Sequence, residues 1–137
     1  MDRQDGKYFT IWYGVYKPAD RKLAYCNAGH PPALHSRDGQ LTELEVDGPA
    51  IGMVPELPYA THTADITAGD QLLVYSDGVF EIEKPDGQMW QYGEFLDRIR
   101  PEVASADGII DRHWSFVRNL HAGEVLGDDF SMIRVRM

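Results

Sequence analysis

The hydrophobic pattern of this chain changes its period near Gly78, and this change constrains the fold more than any other feature of the sequence. Before Gly78, apolar residues alternate or form short runs bounded by Gly, Pro, Asn and Asp, which is typical of strands and tight turns. After it, apolar residues recur at helical spacing. A run of strands followed by helices predicts an α+β fold with a sheet core and helices on an outer face.

The strands are predicted from short apolar segments with turns between them. The first, "YFTIWYGVYK", is apolar on both alternations, which predicts a central strand that is covered on both faces. An Asp-Gly pair inside "RDGQ" predicts a hairpin turn, and the Gly- and Pro-rich residues 47–59 predict a loop. The remaining predicted strands are 23–29, the segments on either side of "RDGQ", 60–66, 70–77 and the terminal strand 128–137.

Two amphipathic helices are predicted between Gly78 and the terminal strand. The segment "GEFLDRIRPEV" places its apolar residues on one helical face, and 107–123 does so more clearly, with Asp107 near its start and Gly123 at its end. Trp114 lies on the apolar stripe of the second helix, so the spacing predicts a core position for it.

Composition narrows the class of protein. The 137 residues correspond to one domain or part of one, and the net charge of −9 disfavours binding to nucleic acid, whose phosphates would repel it. No apolar run approaches the ~20 residues of a membrane helix, and the polar N-terminus lacks the features of a signal peptide. A single cysteine, Cys26, excludes an internal disulfide. These features predict a soluble cytoplasmic protein.

Carboxylates stand at the ends of two predicted strands. Asp77 follows the apolar run "LLVY" and precedes Gly78, and Asp128 and Asp129 precede the terminal strand. Carboxylate oxygens at such edges suit a hard cation such as Mg²⁺ or Mn²⁺. An Asp-Gly turn and a solvated pair of aspartates explain the same residues without a metal. The sequence contains no zinc-type His/Cys cluster, phosphate-binding loop or G-x-S-x-G motif.

Four motifs occur in a fixed order along the chain. They are "NAGHPP" (27–32), "GPAIGM" (48–53), "AGDQLLVYSDGVFE" (68–81) and "GDDFSMIRVRM" (127–137). Over roughly residues 7–137 the chain thereby resembles the SpoIIE-like branch of the metal-dependent, PPM-type serine/threonine phosphatases. The resemblance implies a β-sandwich flanked by helices on both sides. It also implies two Mg²⁺ or Mn²⁺ ions whose bridging water attacks phosphoserine or phosphothreonine without a phosphoenzyme intermediate.

The resemblance assigns metal ligation to two residues, Asp77 and Asp128. Asp129 is the less favoured ligand of its pair. Gly78 and Glu81 are secondary candidates, as ligands or as neighbours of the ligands, although a solvated Glu81 at a helix start is favoured.

The "NAGHPP" loop offers two further candidates, Asn27 and His30, which either position a loop near the site or only shape the loop itself. The structural interpretation is favoured, because Pro31 and Pro32 stiffen this segment whatever its role. Phe80 departs from many relatives, which have Thr at this position, so a polar contact is expected to be lost there.

A family motif of the form Asp-x-x-Gly-His-Gly, whose Asp bridges both metals, has no counterpart here, and neither do the early strands and the first helix pair. The chain therefore resembles the C-terminal two-thirds of a catalytic domain. It is expected to be inactive alone and, with sheet surface left uncovered, to self-associate. A shortened polypeptide, a wrongly assigned start and a natural half-domain each explain this pattern.

The implied substrate is a phosphorylated protein, such as an anti-sigma factor antagonist in bacterial partner switching, with a sensor or receiver domain expected upstream in the parent chain. Two other interpretations stay open. One is a non-catalytic pseudophosphatase module that binds a signalling partner, and the other is a structural α+β domain without a site.

Overall fold

In a computed structural model, which describes residues 6–105, 107–121, 123 and 125–137, strands and helices form three layers. The elements in chain order are β1 (Ile11–Lys17), β2 (Lys22–Ala28), β3 (Ala33–Arg37), β4 (Gln40–Leu44), β5 (His62–Asp65), β6 (Gln71–Tyr75), β7 (Ile82–Glu83), β8 (Met89–Trp90), α1 (Tyr92–Ile99), α2 (Ile109–Leu120) and β9 (Met132–Arg136). Short 3-10 segments cover Asp77–Val79 and Arg100–Ser105.

Two antiparallel sheets make up the first two layers. One has the order β1-β2-β5 and the other the order β4-β3-β6-β9. The predicted hairpins β1–β2 and β3–β4 are both present. The predicted strands 60–66 and 70–77 follow one another through a short turn, but β5 joins the first sheet and β6 the second. This turn therefore connects the two layers rather than two neighbouring strands.

Strand β6 shows why the second sheet lies in the middle. Its residues alternate, so that Leu72 and Val74 pack into the apolar layer between the sheets, while Leu73 and Tyr75 pack against the helices. A strand with two apolar faces is covered on both sides. The predicted α+β sandwich is confirmed, and the described residues place helices on one face of it.

Both helices bury an apolar stripe against this middle sheet. Helix α1 begins with a capping box between Gln91 and Glu94 and buries Phe95 and Ile99 completely. Helix α2 follows Gly108, whose positive φ of 76° suits glycine, and buries Ile109, His113 and Val117. No helix among the described residues has the length and apolarity needed to cross a membrane.

Strand β1 does not occupy the central, doubly covered position that its sequence predicted. It is an edge strand of the three-stranded sheet. Trp12 and Tyr16 pack inward, while Tyr13 on the other face is 58% exposed and Val15 is 41% exposed. The pattern predicted two apolar faces correctly, but only one of them finds a partner within the described residues.

Trp114 was expected in the core, and this expectation is wrong. Its side chain is 38% exposed at the edge of the helical layer, where it packs against Phe130 with ring centroids 4.9 Å apart. The short hairpin β7–β8 was not predicted, because strands of two residues leave no periodic signal.

Self-association remains a prediction, and the exposed face of β1 is where we expect it. We expect a dimer or higher oligomer in sedimentation equilibrium at micromolar concentration, because apolar surface of this kind is rare on a soluble monomer and an edge strand templates pairing. Val15→Lys should shift the protein towards the monomer. Leu57→Lys, at an exposed loop position outside the sheets, is the matched control. If the unsubstituted 137-residue chain sediments as a 15.5 kDa monomer, the prediction is wrong.

Candidate metal centre

The two carboxylate-bearing segments lie at one end of one pair of neighbouring strands. Strand β6 pairs with β9 in antiparallel register, with Tyr75 opposite Met132. The residues that follow the end of β6 therefore lie next to the residues that precede the start of β9. This register brings Asp77 and Asp128 together although 50 positions separate them in the sequence.

Three carboxylates converge at this point. Asp77, Glu81 and Asp128 each place a carboxylate oxygen within 4.8 Å of the others, and all three residues are exposed. Glu81 reaches the group because the backbone turns sharply after Asp77: the Glu81 amide donates to the Asp77 carbonyl at 2.9 Å. Three oxygen donors on a solvent-accessible edge fit a hard divalent cation that keeps several waters.

Ser76 joins the two segments through three hydrogen bonds. Its amide donates to the Ser131 carbonyl at 2.9 Å, and its hydroxyl donates to the Asp129 carbonyl at 2.8 Å. The same hydroxyl accepts from the Ser131 amide at 3.0 Å. The residue before Asp77 is thus bonded to the backbone that follows Asp128, so the two segments that carry the aspartates are fixed next to each other.

Gly78 allows this close approach. A Cβ atom at position 78 would lie 2.2 Å from the Asp129 carbonyl oxygen and 2.8 Å from its carbonyl carbon. Because both are backbone atoms held by the strand pair, they cannot move aside as a flexible side chain would. The glycine of "SDG" is therefore required by the packing of one segment on the other.

Asp129 takes part in this contact through its main chain. Its amide donates to the Asp128 carboxylate at 2.7 Å, and its carbonyl accepts from Ser76. The group of three carboxylates in the described part of the chain does not include the Asp129 side chain. That Asp129 is the less favoured ligand of its pair stays a prediction.

Asn27 and His30 shape a loop, and neither belongs to the group of three carboxylates. The Asn27 side chain donates from Nδ2 to the His30 carbonyl at 2.7 Å, and its Oδ1 accepts from the His30 backbone amide at 2.8 Å. The Tyr75 hydroxyl, at the end of β6, donates to the Pro32 carbonyl at 2.6 Å. The loop is thereby held against the strand that leads to Asp77.

The motifs "NAGHPP" and "GPAIGM" pack on each other. The Gly29 amide donates to the Gly48 carbonyl at 2.7 Å, and Gly29 has a φ of 67°. A Cβ atom there would lie 2.9 Å from the Ala50 amide nitrogen. The two motifs are thus parts of two loops that contact each other.

A cleft of about 690 Å³ opens beside the carboxylates. Asp128 and Asp129 form part of its wall, and Trp114 and Arg118 form another part. The Arg118 guanidinium lies 5.7 Å from the centre of the Trp114 ring. The exposure of Trp114 is explained by this cleft, which the spacing of the helix could not reveal.

Sequence reasoning missed the contribution of Ser76. Its signal was a hydroxyl directly before Asp77 at the end of an apolar strand, a position at which a side chain can bond to a neighbouring backbone segment. Glu81 was expected at the start of a helix, whereas it follows a 3-10 turn that returns it towards Asp77; its role at a metal stays a prediction.

The family model described as Stage II sporulation protein E (SpoIIE) matches residues 1–137. Among curated proteins, protein IcfG of Synechocystis sp. is 26% identical over 129 residues, covering 93% of this chain and 20% of IcfG. Phosphoserine phosphatase RsbU of Bacillus subtilis is 24% identical over 137 residues, covering 94% of this chain and 39% of RsbU. The chain thus spans less than half the length of these relatives.

Solved structures of phosphatase domains have the same fold. The PP2C phosphatase domain of Bacillus subtilis SpoIIE with a fragment of its regulatory domain matches with a TM-score of 0.77 and 20% identity, over 97% of this chain and 40% of the other. A manganese-presoaked SpoIIE phosphatase domain gives 0.71 and 19%, over 93% and 56%. RsbX in complex with magnesium gives 0.62 and 16%, over 91% and 54%.

The fold, the order of the motifs and a family match over the whole length agree with one another. The chain belongs to the SpoIIE family, and the solved structure of Bacillus subtilis SpoIIE that it resembles contains a PP2C phosphatase domain.

Proposed function

We propose that this chain forms the C-terminal part of a metal-dependent phosphoserine/phosphothreonine protein phosphatase domain. The observation that carries the proposal is the convergence of Asp77, Glu81 and Asp128 at the β6–β9 edge. Its support from relatives is that RsbU is a phosphoserine phosphatase.

Asp77 and Asp128 are the proposed ligands of Mn²⁺ or Mg²⁺, with Glu81 as a third oxygen donor or as a partner of bound water. The related SpoIIE domain was presoaked with manganese and RsbX was solved with magnesium, so both ions are reasonable candidates. When bound, such an ion would neutralise phosphoryl charge and lower the pKa of coordinated water.

The chain's own residues prepare this site. Three carboxylates within 4.8 Å of one another repel each other, and a divalent cation would relieve this repulsion. Ser76 and Gly78 hold the two segments at contact distance, so their backbones do not have to be brought together when a cation binds. Exposure of all three residues leaves room for water and for a phosphate group.

The proposed substrate is a phosphorylated protein, specifically an anti-sigma factor antagonist in a partner-switching pathway of the bacterial cytoplasm. The relationship to RsbU supports this class of substrate. The chain spans only 39% of RsbU, which leaves room for a sensor or receiver domain in the parent protein.

The 137 residues contain no Asp-x-x-Gly-His-Gly motif, so we propose that they are inactive alone. The same observation supports a second candidate function, a pseudophosphatase module that binds a signalling protein without catalysis. The upstream reading frame discriminates between the two. An in-frame Asp-x-x-Gly-His-Gly segment supports the enzyme, and its absence supports the binding module.

Titration with Mn²⁺, followed by the electron paramagnetic resonance of the free ion, tests the site. We expect weak binding, and we expect Asp77→Asn and Asp128→Asn each to lower the affinity about tenfold, or ~1.4 kcal/mol, because each removes one charged oxygen donor. Asp97→Asn, at an exposed position of helix α1, should bind like the parent. Parental affinity in both site variants would refute the assignment.

A further inference from the structure

The side chain of His113 is completely buried, although it is polar. It lies in helix α2, and its Nε2 atom is 2.8 Å from the carbonyl oxygen of Val79. Val79 is the last residue of the 3-10 turn that begins at Asp77 and is itself completely buried. The helix therefore makes a direct polar contact with the turn that carries a proposed metal ligand.

The chemistry of this contact fixes the tautomer of His113. A carbonyl oxygen only accepts, so Nε2 must carry the proton and donate it. Nδ1 is buried and has no hydrogen-bond partner among the described residues. Burial also lowers the pKa of His113, which favours the neutral ring. The neutral ring thus donates one hydrogen bond, from Nε2 to the Val79 carbonyl.

Core packing alone does not account for a histidine here. The neighbours of the ring are aromatic, and a phenylalanine would fill a similar volume without leaving Nδ1 unpaired. A buried polar atom without a partner costs free energy. The feature that histidine adds over phenylalanine is the N–H group that reaches the Val79 carbonyl.

The same ring also contacts the segment that carries the other aspartate. Its centroid lies 5.9 Å from that of Phe130, which follows Asp128 by two residues, and 5.2 Å from that of Phe95 in helix α1. The His113 ring thus contacts both the turn of Asp77, through Val79, and the segment of Asp128, through Phe130.

We propose that His113 is a positioning residue of the metal site: its hydrogen bond to the Val79 carbonyl and its stacking on Phe130 hold the Asp77–Glu81 turn in register with Asp128. This inference rests on the proposed function, because it takes these carboxylates as the ligands.

The hydrogen bonds within the 3-10 turn do not connect it to helix α2, whereas the bond from His113 does. Within the turn, the Val79 amide donates to the Ser76 carbonyl at 3.2 Å and the Phe80 amide donates to the Asp77 carbonyl at 3.0 Å. These bonds curl the turn but do not attach it to the helical layer. The bond from His113 does so at Val79, two residues from Asp77 and two from Glu81.

The test compares His113→Phe and His113→Gln with Val117→Ala, a core change one turn further along the same helix. Phenylalanine keeps the volume but removes the donor, whereas the glutamine amide can donate again to Val79. We expect His113→Phe to lower Mn²⁺ affinity about five- to tenfold, the factor that corresponds to one hydrogen bond. His113→Gln should stay within about twofold of the parent.

Stability distinguishes a positioning role from a structural one. His113→Phe removes the unpaired Nδ1 atom but leaves the Val79 carbonyl without its donor. Because the number of unpaired buried groups stays the same, the melting temperature should change little. Val117→Ala should lower the melting temperature without changing Mn²⁺ affinity. In the metal-free protein, amide hydrogen exchange at 79–81 should be faster in His113→Phe than in the parent.

The outcomes separate the two proposals. If Asp77→Asn weakens Mn²⁺ binding while His113→Phe binds like the parent, the inference about His113 is overturned and the proposed function stands. Unchanged amide exchange at 79–81 in His113→Phe overturns it as well, without reference to metal. If Asp77→Asn itself binds like the parent, the proposed metal site fails at its own test.

Discussion

Hydrolysis of p-nitrophenyl phosphate by the 137-residue chain is expected to stay at background with Mn²⁺ present. It should appear when the polypeptide is extended upstream by a segment that carries Asp-x-x-Gly-His-Gly. Asp77, Glu81 and Asp128 form one group at the end of one strand pair. A pair of ions also needs a carboxylate that bridges them, which the resemblance assigns to the Asp of the Asp-x-x-Gly-His-Gly motif. Because a single missing electrostatic group in an active site costs about 10²–10³-fold in rate, we expect a gain of at least this order.

The extended polypeptide also provides the control. Asp128→Asn in it should return the rate to background, whereas Asp97→Asn, on the exposed side of α1, should not. Strong hydrolysis by the 137 residues alone would contradict the need for the bridging carboxylate. An extended polypeptide that folds and binds Mn²⁺ but does not hydrolyse the ester would favour the binding module.

Replacement of Asp70 by alanine is expected to lower the free energy of unfolding by about 3 kcal/mol. Asp70 is 2% exposed and lies in the turn that connects the two sheets. Its carboxylate accepts from His35 at 2.8 Å, from Arg37 at 2.7 Å and from the Thr67 amide at 2.8 Å. Its removal leaves three donors without their acceptor.

The stability of the parent should also depend on pH through Asp70. Burial opposes the charged form, but the bonds from Arg37, Thr67 and His35 prevail and hold the Asp70 pKa well below its usual 3.8. A carboxyl group whose pKa falls on folding binds more protons when unfolded, so its contribution is complete above about pH 4 and is lost as the pH falls below that value. The contribution should be absent in Asp70→Ala.

Urea unfolding between pH 7 and pH 3 measures both effects. Asp65→Asn is the control, because Asp65 pairs with Lys22 on the surface, where its side chain is 74% exposed. Such exposed pairs contribute about 0–1 kcal/mol, so this variant should unfold close to the parent. Equal losses in the two variants would show that burial of the Asp70 network does not matter.

The sequence predicted the order of the strands and helices because each predicted element carries its own periodic signal. Position within the layers was harder to predict. Strand β1 has two apolar faces, and periodicity cannot say whether both are covered; here Tyr13 is exposed. Trp114 follows the helical stripe, yet it lies at its edge and faces a cleft. Both errors concern the surroundings of a residue, which depend on elements far away in the sequence.

Only part of the candidate site could be predicted, because its geometry also depends on how distant segments of the chain pack together. Asp77 and Asp128 stood out because they interrupt strand ends, and the strand pairing brings them together. Glu81 could not be placed, since its position depends on how tightly the chain turns after Asp77. The helical spacing predicts that His113 lies on the buried face of its helix, but it cannot show which backbone carbonyl the ring reaches.

Asp77 and Glu81 follow strand β6 and Asp128 precedes β9, so the three carboxylates lie beside the β6–β9 end of the middle sheet. Their mutual spacing is therefore independent of how the two sheets slide against each other, because no member of the group is carried by the β1-β2-β5 layer. A shear of the sandwich would move the apolar layer beneath the site and leave the oxygen triangle unchanged. Regulation that acts by sliding the layers would have to reach these oxygens by another route, such as the contact of helix α2 with the Asp77 turn through His113.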